Sequence, residues 1–201
     1  MGLHRRGRDT TDDNSLAERQ NLFWSLFVID KNLSLLTGKS ARLPWYDCDV
    51  QLPEPSQSDL PQSYFVSRAR LSIIQEQIYS SLYSADALRQ TELVREQAIL
   101  RLSDKLQQWL HDHARLLSKK EFLGDKEPMQ HLGLELSILC GMHLIMVCRQ
   151  TRTATSLNKC YQTSREVMEK LYQLAQRTEL RGKEASLRRY VLLLLMCIAY
   201  R

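Results

Sequence analysis

The feature that most constrains the fold is the segment Leu22–Leu36, which predicts a helix that is apolar on nearly every side. Its large apolar residues are Phe23, Trp24, Leu26, Phe27, Val28, Ile29, Leu33, Leu35 and Leu36. Such a helix belongs in the middle of a fold, because any exposed face would place large hydrophobic side chains in water. We therefore expect a central helix over 14–37. It should end at Gly38, because glycine readily adopts the left-handed conformation found after helices.

The loop after this helix predicts a structural connection and not an active site. It carries Tyr46, Asp47 and Asp49, but it groups no nucleophile, base and orienting residue. Acids and aromatic residues on such a loop could meet a small effector, or the loop could fold back and clamp the helix through Arg19 or Arg42. Of these two roles, packing is the favoured interpretation.

The first two-thirds of the chain predict further amphipathic helices. Ser15 and Glu18 have the spacing of a capping box and predict a helix start near residue 15. A proline-rich connector, Glu54–Gln62, leads to a helical pair over 63–117 with a break near Ser84–Gln90. The apolar positions at helical spacing in this pair are Leu71, Ile74, Ile78, Leu82, Val94, Ile99, Leu102, Leu106, either Trp109 or Leu110, His113 and Leu117.

Residues 128–201 predict the C-terminal helices, with Pro128 in a first turn, where its missing amide hydrogen costs nothing. Polar linkers are expected at Thr151–Asn158 and Thr178–Glu184, and a last helix from about Ala185. The apolar stripes are Leu132, Leu136, Leu139, His143, Val147, Val167, Leu171 and Leu174. No convincing alternating run and no repeat is present, so we predict an all-α fold, an irregular bundle of about six to seven helices in one domain over 1–201.

Composition narrows the class of protein. The net charge is +5 and the isoelectric point is near 9.0. Either of the two basic runs, His4–Arg8 and Arg181–Arg189, could touch phosphates, but neither comes with a groove-reading module, so solvated faces are the favoured interpretation. The N-terminus has no signal-peptide core, and the longest strongly apolar run, Tyr190–Tyr200, is about half the length of a membrane span. A soluble protein without membrane contact is expected.

Cysteine and histidine spacing predicts no metal or cofactor. The five cysteines are an odd number, and no pair has the Cys-x-x-Cys spacing of a zinc cluster. Cys140 and His143 share a helix face, but two ligands without a second pair make a poor zinc site. His111 and His113 point to different faces of their helix. We expect reduced core or boundary thiols, no metal ligand and no cofactor.

Enzymatic motifs are also missing from the sequence. Asp12 and Asp13 precede a helix, but Ser15 and Leu16 stand where a magnesium-binding acid would be needed. No Gly-x-Ser-x-Gly, phosphate-binding loop or Gly-x-Gly-x-x-Gly occurs. The prediction is that the chain is not an enzyme.

One segment carries a family resemblance. Its motif residues are Arg19, Phe23-Trp24, Asp30-Lys31, Gly38-Lys39-Ser40, Asp47-Cys48-Asp49 and Leu52-Pro53. This order resembles the signature of the fungal-specific transcription factor domain, the regulatory region of fungal zinc-cluster transcription factors. Lys31 replaces the usual Arg, and Lys39-Ser40 replaces Arg-Pro, so a less rigid helix exit is expected without the proline.

The same family resemblance extends beyond this segment. Gly2-Leu3-His4-Arg5 resembles a piece that closes the preceding helix in the family. Further counterparts are Ile78-Tyr79, Leu82-Tyr83-Ser84 and Leu106-Gln107-Gln108-Trp109. Because the Gly2–Arg5 piece begins at Met1, the resemblance implies a domain that lacks its front part and the zinc cluster before it.

The resemblance implies transcription regulation in the nucleus, with specific DNA binding only in members that carry the zinc cluster. Its motif positions, Gly2, His4, Arg19, Phe23, Trp24, Asp30, Gly38, Asp47, Asp49, Pro53 and Trp109, are expected to be structural. If the domain lacks neighbours of its central helix, an apolar patch should face solvent and favour a protein partner or self-association. The alternative hypothesis is a helical interaction module unrelated to transcription.

Overall fold

A computed structural model describes residues 13–55, 59–117, 126–151 and 153–179 of the chain. Within these residues the α-helices are α1 (Asp13–Thr37), α2 (Leu60–Ile78), α3 (Ala85–Leu88), α4 (Glu92–Leu117), α5 (Lys126–Cys148) and α6 (Ala154–Glu179). The part of the chain that is described contains no β-strand, which confirms the all-α class. The chain divides into two compact units, residues 1–80 and 81–201.

Helix α1 ends where the sequence predicts. Thr37 is its last residue, and Gly38 follows with a φ of 65°, the left-handed conformation that only glycine adopts without strain. Its first described residue, Asp13, lies within one or two residues of the predicted start. Ser15 lies inside the helix, so the capping role predicted for it is wrong.

The faces of α1 differ strongly in burial. Phe23, Trp24 and Phe27 are at most 1% exposed and form the core of the first unit. By contrast, four large apolar residues remain 40–55% exposed, namely Leu22, Leu26, Ile29 and Leu33. The expectation of a helix buried on all sides is therefore wrong: α1 has one buried aromatic face and one exposed aliphatic face.

Helix α2 packs against α1 within the first unit. The side chain of Asp59 caps it by accepting from the Gln62 amide at 3.1 Å, and Pro61 lies in its first turn. Its buried face holds small hydroxyls, and Ser67 and Ser72 satisfy theirs by donating to carbonyls of their own helix. Burial of this face therefore leaves both hydroxyls paired.

A π-helical turn, Tyr79–Tyr83, follows α2, and Ser84 then caps the short α3 through the Ala87 amide. This irregular region agrees with the predicted break near Ser84–Gln90. In α4, the predicted apolar stripe is buried at Ile99, Leu102, Leu106, Trp109 and His113, whereas Val94 is exposed. The side chain of Leu117 lies outside the described residues.

Helix α5 occupies the centre of the second unit, between α4 and α6. Every residue from 138 to 148 is buried, so the second half of α5, unlike α1, is covered on all sides. Gln130–Cys148 is long and apolar enough by composition to cross a membrane, although 72% of it is buried inside the unit, as in a core helix.

Helix α6 begins earlier than predicted. The expected linker Thr151–Asn158 is wrong beyond Thr153, because Ala154 already starts the helix and Thr153 accepts from the amides of Ser156 and Leu157. The first turn of α6 lies on the surface and contributes no residue to the buried apolar stripe, so the apolar pattern does not indicate where the helix begins. The predicted stripe Val167, Leu171 and Leu174 is buried as expected. The predicted last helix lies outside the described residues.

Candidate interaction site

An aromatic cluster organises the first unit. Trp24 makes edge contacts with Phe23 at 5.3 Å and with Phe27 at 5.2 Å between ring centroids. Trp45, from the loop after α1, adds its ring 5.5 Å from Trp24 and 5.9 Å from Phe27. Aromatic pairs at these separations add to the stabilisation from burial itself. The cluster thereby joins α1 to its exit loop, which runs from Lys39 to Pro53.

Lys31 lies at the centre of this connection. Its side chain is 0% exposed, and its ammonium contacts Asp30 at 3.1 Å and Glu76 of α2 at 3.2 Å. The ammonium also donates to the Leu43 carbonyl and lies 4.2 Å from the Phe27 ring centroid. A buried ammonium needs such partners, because it has lost its water shell. One cation thus ties together α1, α2 and the loop.

Asp30, the acid that pairs with Lys31, also binds the backbone of the exit loop. Its carboxylate accepts from the amides of Arg42 at 3.0 Å and Leu43 at 3.0 Å. Burial alone would raise the pKa of Asp30, but the two amides and the neighbouring Lys31 outweigh it and lower the pKa below 3.8. The carboxylate is therefore ionised at neutral pH and holds the loop as an anion.

Two further side chains hold the distal part of the loop. The Glu76 carboxylate accepts from the Trp45 amide at 2.9 Å, and the Trp24 indole donates to the Gln51 carbonyl at 2.8 Å. At the helix exit, the Ser34 hydroxyl donates to the Lys39 carbonyl at 2.6 Å. These contacts fasten the exit loop, where the family motif would have a proline.

The outer surface of the first unit is apolar along α1. Leu22, Leu26, Ile29 and Leu33 are spaced by four, three and four residues and lie on one exposed face. We call these four residues the α1 stripe. Its side chains carry no nucleophile, acid or base, so the chemistry that it can support is apolar contact with another protein surface.

The structure locates most of the predicted motif residues. Gly2 and His4 lie outside the described residues. Phe23 and Trp24 belong to the aromatic cluster, Asp30 of α1 binds the exit loop, and Gly38 follows the last residue of α1. Pro53 is buried at the end of the exit loop. Asp47 and Asp49 are exposed on the loop surface, and Arg19 is partly exposed. Trp109 is buried in α4 of the second unit, where its ring stacks 6.1 Å from His113.

The described residues contain no group of three or more His, Cys, Asp or Glu side chains that could hold a metal. Cys140 donates to the Leu106 carbonyl at 3.4 Å, and Nδ1 of His143 lies 2.6 Å from the Leu139 carbonyl. Burial raises the pKa of Cys140 to about 12, so its thiolate is scarce near neutral pH. Both side chains therefore serve packing.

Glu76 is the most important residue that the sequence pattern did not identify. It lies off the apolar stripe of α2, and the structure places it as the second carboxylate at Lys31. Gln51, whose carbonyl receives Trp24, gave no signal at all. A charged residue inside an apolar helix, here Lys31, was the available sign that a buried partner acid was needed.

The sequence matches one protein family and several curated proteins. The family model of the fungal specific transcription factor domain matches residues 1–111. Transcription factor oryO of Aspergillus oryzae is 29% identical over 178 residues, covering 87% of this chain and 22% of that protein. An uncharacterized transcriptional regulatory protein of Schizosaccharomyces pombe is 26% identical over 193 residues, covering 85% of this chain and 30% of that protein.

An ABC-transporter-regulating transcription factor of Aspergillus fumigatus is 28% identical over 121 residues, covering 54% of this chain and 14% of that protein. No solved structure matches the chain. The chain thus spans less than a third of the length of the curated relatives that it matches. The matched residues include all of the first unit with its aromatic cluster, Lys31 and exit loop, and the chain belongs to the fungal-specific transcription factor domain family.

Proposed function

We propose that the chain regulates transcription in the nucleus through contacts with other proteins, without catalysis and without a bound metal or cofactor. The family supports the regulatory role. The α1 stripe supports protein contact as the means, because it is a continuous apolar surface on the helix that the family motif marks. Specific DNA binding is reserved for family members that carry a zinc cluster.

Self-association through the α1 stripe is the specific partner contact that we propose. A spacing of four, three and four residues is the seam of a two-stranded coiled coil, so a second copy presents a matching surface. A two-fold pair uses the same patch on both subunits and closes without forming fibres. The stripe holds four side chains over about three helical turns. A standard interface buries roughly 800 Å² per partner, which takes more residues than this, so weak association is expected.

Sedimentation velocity over a range of protein concentrations tests this contact. The wild-type chain should shift from monomer to dimer as concentration rises. Leu26→Glu with Ile29→Glu should remain monomeric, because four buried carboxylates in the pair would repel and lose water. Leu100→Glu, at a 65% exposed leucine of α4, is the matched control and should dimerise like the wild type. Equal dimerisation of the stripe variant would exclude this interface.

The proposed lack of specific DNA binding and of a metal is tested on the purified chain. A gel-shift titration against fungal promoter fragments should give only weak binding that disappears at physiological salt. Metal analysis after dialysis should find no stoichiometric zinc. A salt-resistant complex with one promoter sequence, or one zinc per chain, would contradict the proposal.

A helical adaptor without a role in transcription is the alternative, and promoter recruitment separates the two. An adaptor of this kind would self-associate through the same stripe but would not be enriched at promoters. The gel-shift and sedimentation results do not distinguish these functions, whereas chromatin occupancy does.

A further inference from the structure

A cleft in the second unit carries the features of an anion site. Its volume is about 390 Å³, and it is lined by Glu92, Arg95, Arg149, Gln150 and Thr151. These residues come from the first turn of α4 and from the segment that follows α5. We infer that this cleft binds a small oxyanion, a carboxylate or phosphate group on a molecule that also carries a hydrogen-bond donor.

Two residues that line the cleft each carry a buried polar atom without a hydrogen-bond partner. Thr151 is 6% exposed, and its hydroxyl oxygen is buried without a partner. Nε of Arg95 is likewise buried without an acceptor, although the same guanidinium donates to the Leu88 carbonyl at 3.3 Å. Buried polar atoms are costly when unsatisfied, and both of these residues line the cleft, so a ligand acceptor that reaches them would be favoured.

Arg149 is fixed at the same cleft by neighbouring groups. Its Nε donates to the Tyr83 hydroxyl at 3.1 Å, and that hydroxyl donates to the Met146 carbonyl at 2.8 Å. A guanidinium that is held in place loses little freedom when it meets an anion, and its planar donors suit carboxylate and phosphate oxygens. The cleft thus offers two arginines and a hydroxyl.

Glu92 determines which anions suit the cleft. It is an exposed acid at the rim of the cleft. The lining therefore carries one negative charge, that of Glu92, and two positive charges, those of Arg95 and Arg149. Glu92 weakens the binding of any anion, whereas a ligand hydroxyl, such as that of malate or of hydrogen phosphate, could donate to it. The start of α4 adds a favourable helix dipole, which is secondary to the arginines and the unpartnered hydroxyl.

Calorimetric titration of the full chain with inorganic phosphate and with malate tests the site, with chloride used to hold ionic strength constant. Malate carries carboxylates and a hydroxyl, and comparison of the two probes tells which oxyanion is preferred. Saturable binding at one site per chain is expected. Arg95→Gln should weaken it by at least about tenfold, because it removes a charge-assisted hydrogen bond.

Two other variants make the prediction sharper. Glu92→Gln should strengthen phosphate binding about two- to fivefold, because it removes a repelling charge. Thr151→Val should weaken binding of both probes while leaving the unfolding temperature of the unliganded chain unchanged or higher, because the lost hydroxyl had no partner. Arg101→Gln, at an exposed arginine of α4, is the control and should bind like the wild type.

The opposite directions expected for Glu92→Gln and Arg95→Gln keep the test decisive even if one variant folds poorly. No saturable binding of either probe would overturn the inference. Equal weakening by Arg101→Gln would do so as well, because it would indicate only general attraction to a basic protein. The residues of the cleft are separate from the α1 stripe, so neither result depends on self-association.

Discussion

At the scale of the residue, Lys31 shows how one side chain can determine a local fold. The family motif in the sequence singled out position 31, but the sequence did not show which residues would pair with a buried ammonium there. That consequence depends on Glu76, which is 45 positions later and comes close only when α2 packs on α1. Contacts between distant segments are set by tertiary packing, and local patterns cannot identify them.

Replacing Lys31 tests its role. In Lys31→Met, Asp30 and Glu76 face each other without a cation, and the Leu43 carbonyl loses its donor. We expect the free energy of unfolding to fall by about 2–4 kcal/mol, somewhat less than for a fully buried pair, because both carboxylates keep some solvent contact. Lys39→Met, at an exposed lysine of the loop, is the control.

Urea denaturation followed by tryptophan fluorescence measures this change, because Trp24 and Trp45 report on the cluster. Lys39→Met should stay within about 0.5 kcal/mol of the wild type. Equal stability of Lys31→Met and the wild type would show that the ion pairs do not hold the loop.

His113 predicts a pH dependence at the same scale. Burial lowers its pKa to about 4, so the folded chain keeps the ring neutral while the unfolded chain takes up a proton near pH 6.5. This contribution to stability is therefore full above pH 6.5 and is lost as the pH falls from 6.5 to about 4. Its size is about 3 kcal/mol at most.

Unfolding measured between pH 7 and pH 4 checks this contribution. His113→Phe keeps an aromatic ring near Trp109 but cannot titrate, so its stability should decline less steeply across this range. His111→Gln, at an exposed histidine of the same helix, should follow the wild-type curve. Identical slopes for His113→Phe and the wild type would assign the acid sensitivity to other groups.

At the scale of the element, helix positions were more predictable than helix environments. The end of α1 at Gly38 and the apolar stripes of α4 and α6 follow from local chemistry. Which helix becomes the buried centre does not, because α1 and α5 are both rich in apolar residues. Their difference arises from neighbours, since α5 lies between two helices of its unit whereas α1 packs on α2.

Gly141 explains how α5 approaches α6, and it predicts a paired effect. A Cβ at this position would lie 2.3 Å from Cγ2 of Val167, a stiff β-branched side chain. Gly141→Ala should therefore lower the free energy of unfolding by about 1–3 kcal/mol despite the better helix propensity of alanine. Val167→Ala alone should also be destabilising, because it leaves a small cavity.

Combining Gly141→Ala with Val167→Ala should recover stability relative to the sum of the single changes, because the added methyl fills the space that the valine left. Chemical denaturation of the four proteins gives the coupling energy, expected at about 1 kcal/mol or more. Strict additivity would show that α5 and α6 can separate at this point without cost.

At the scale of the whole molecule, the fold class and the family could be inferred from the sequence, but the candidate sites could not be placed by it. Phe23 and Trp24 identified the central motif, whereas the exposure of the α1 stripe and the convergence of Arg95, Arg149 and Thr151 appeared only with the structure. Exposure and convergence are properties of assembled helices, so single-segment patterns carry little information about them.

The central claim is that the chain regulates transcription through the α1 stripe, which pairs with a second copy of the chain and also recruits the chain to a protein bound at promoters. Its most direct test is chromatin occupancy in fungal cells that express the wild-type chain, Leu26→Glu with Ile29→Glu, or Leu100→Glu at equal levels. We predict enrichment at a set of promoters for the wild type and for Leu100→Glu, and loss of that enrichment for the stripe variant. Absence of promoter enrichment for the wild type, or full enrichment for the stripe variant, would contradict the claim.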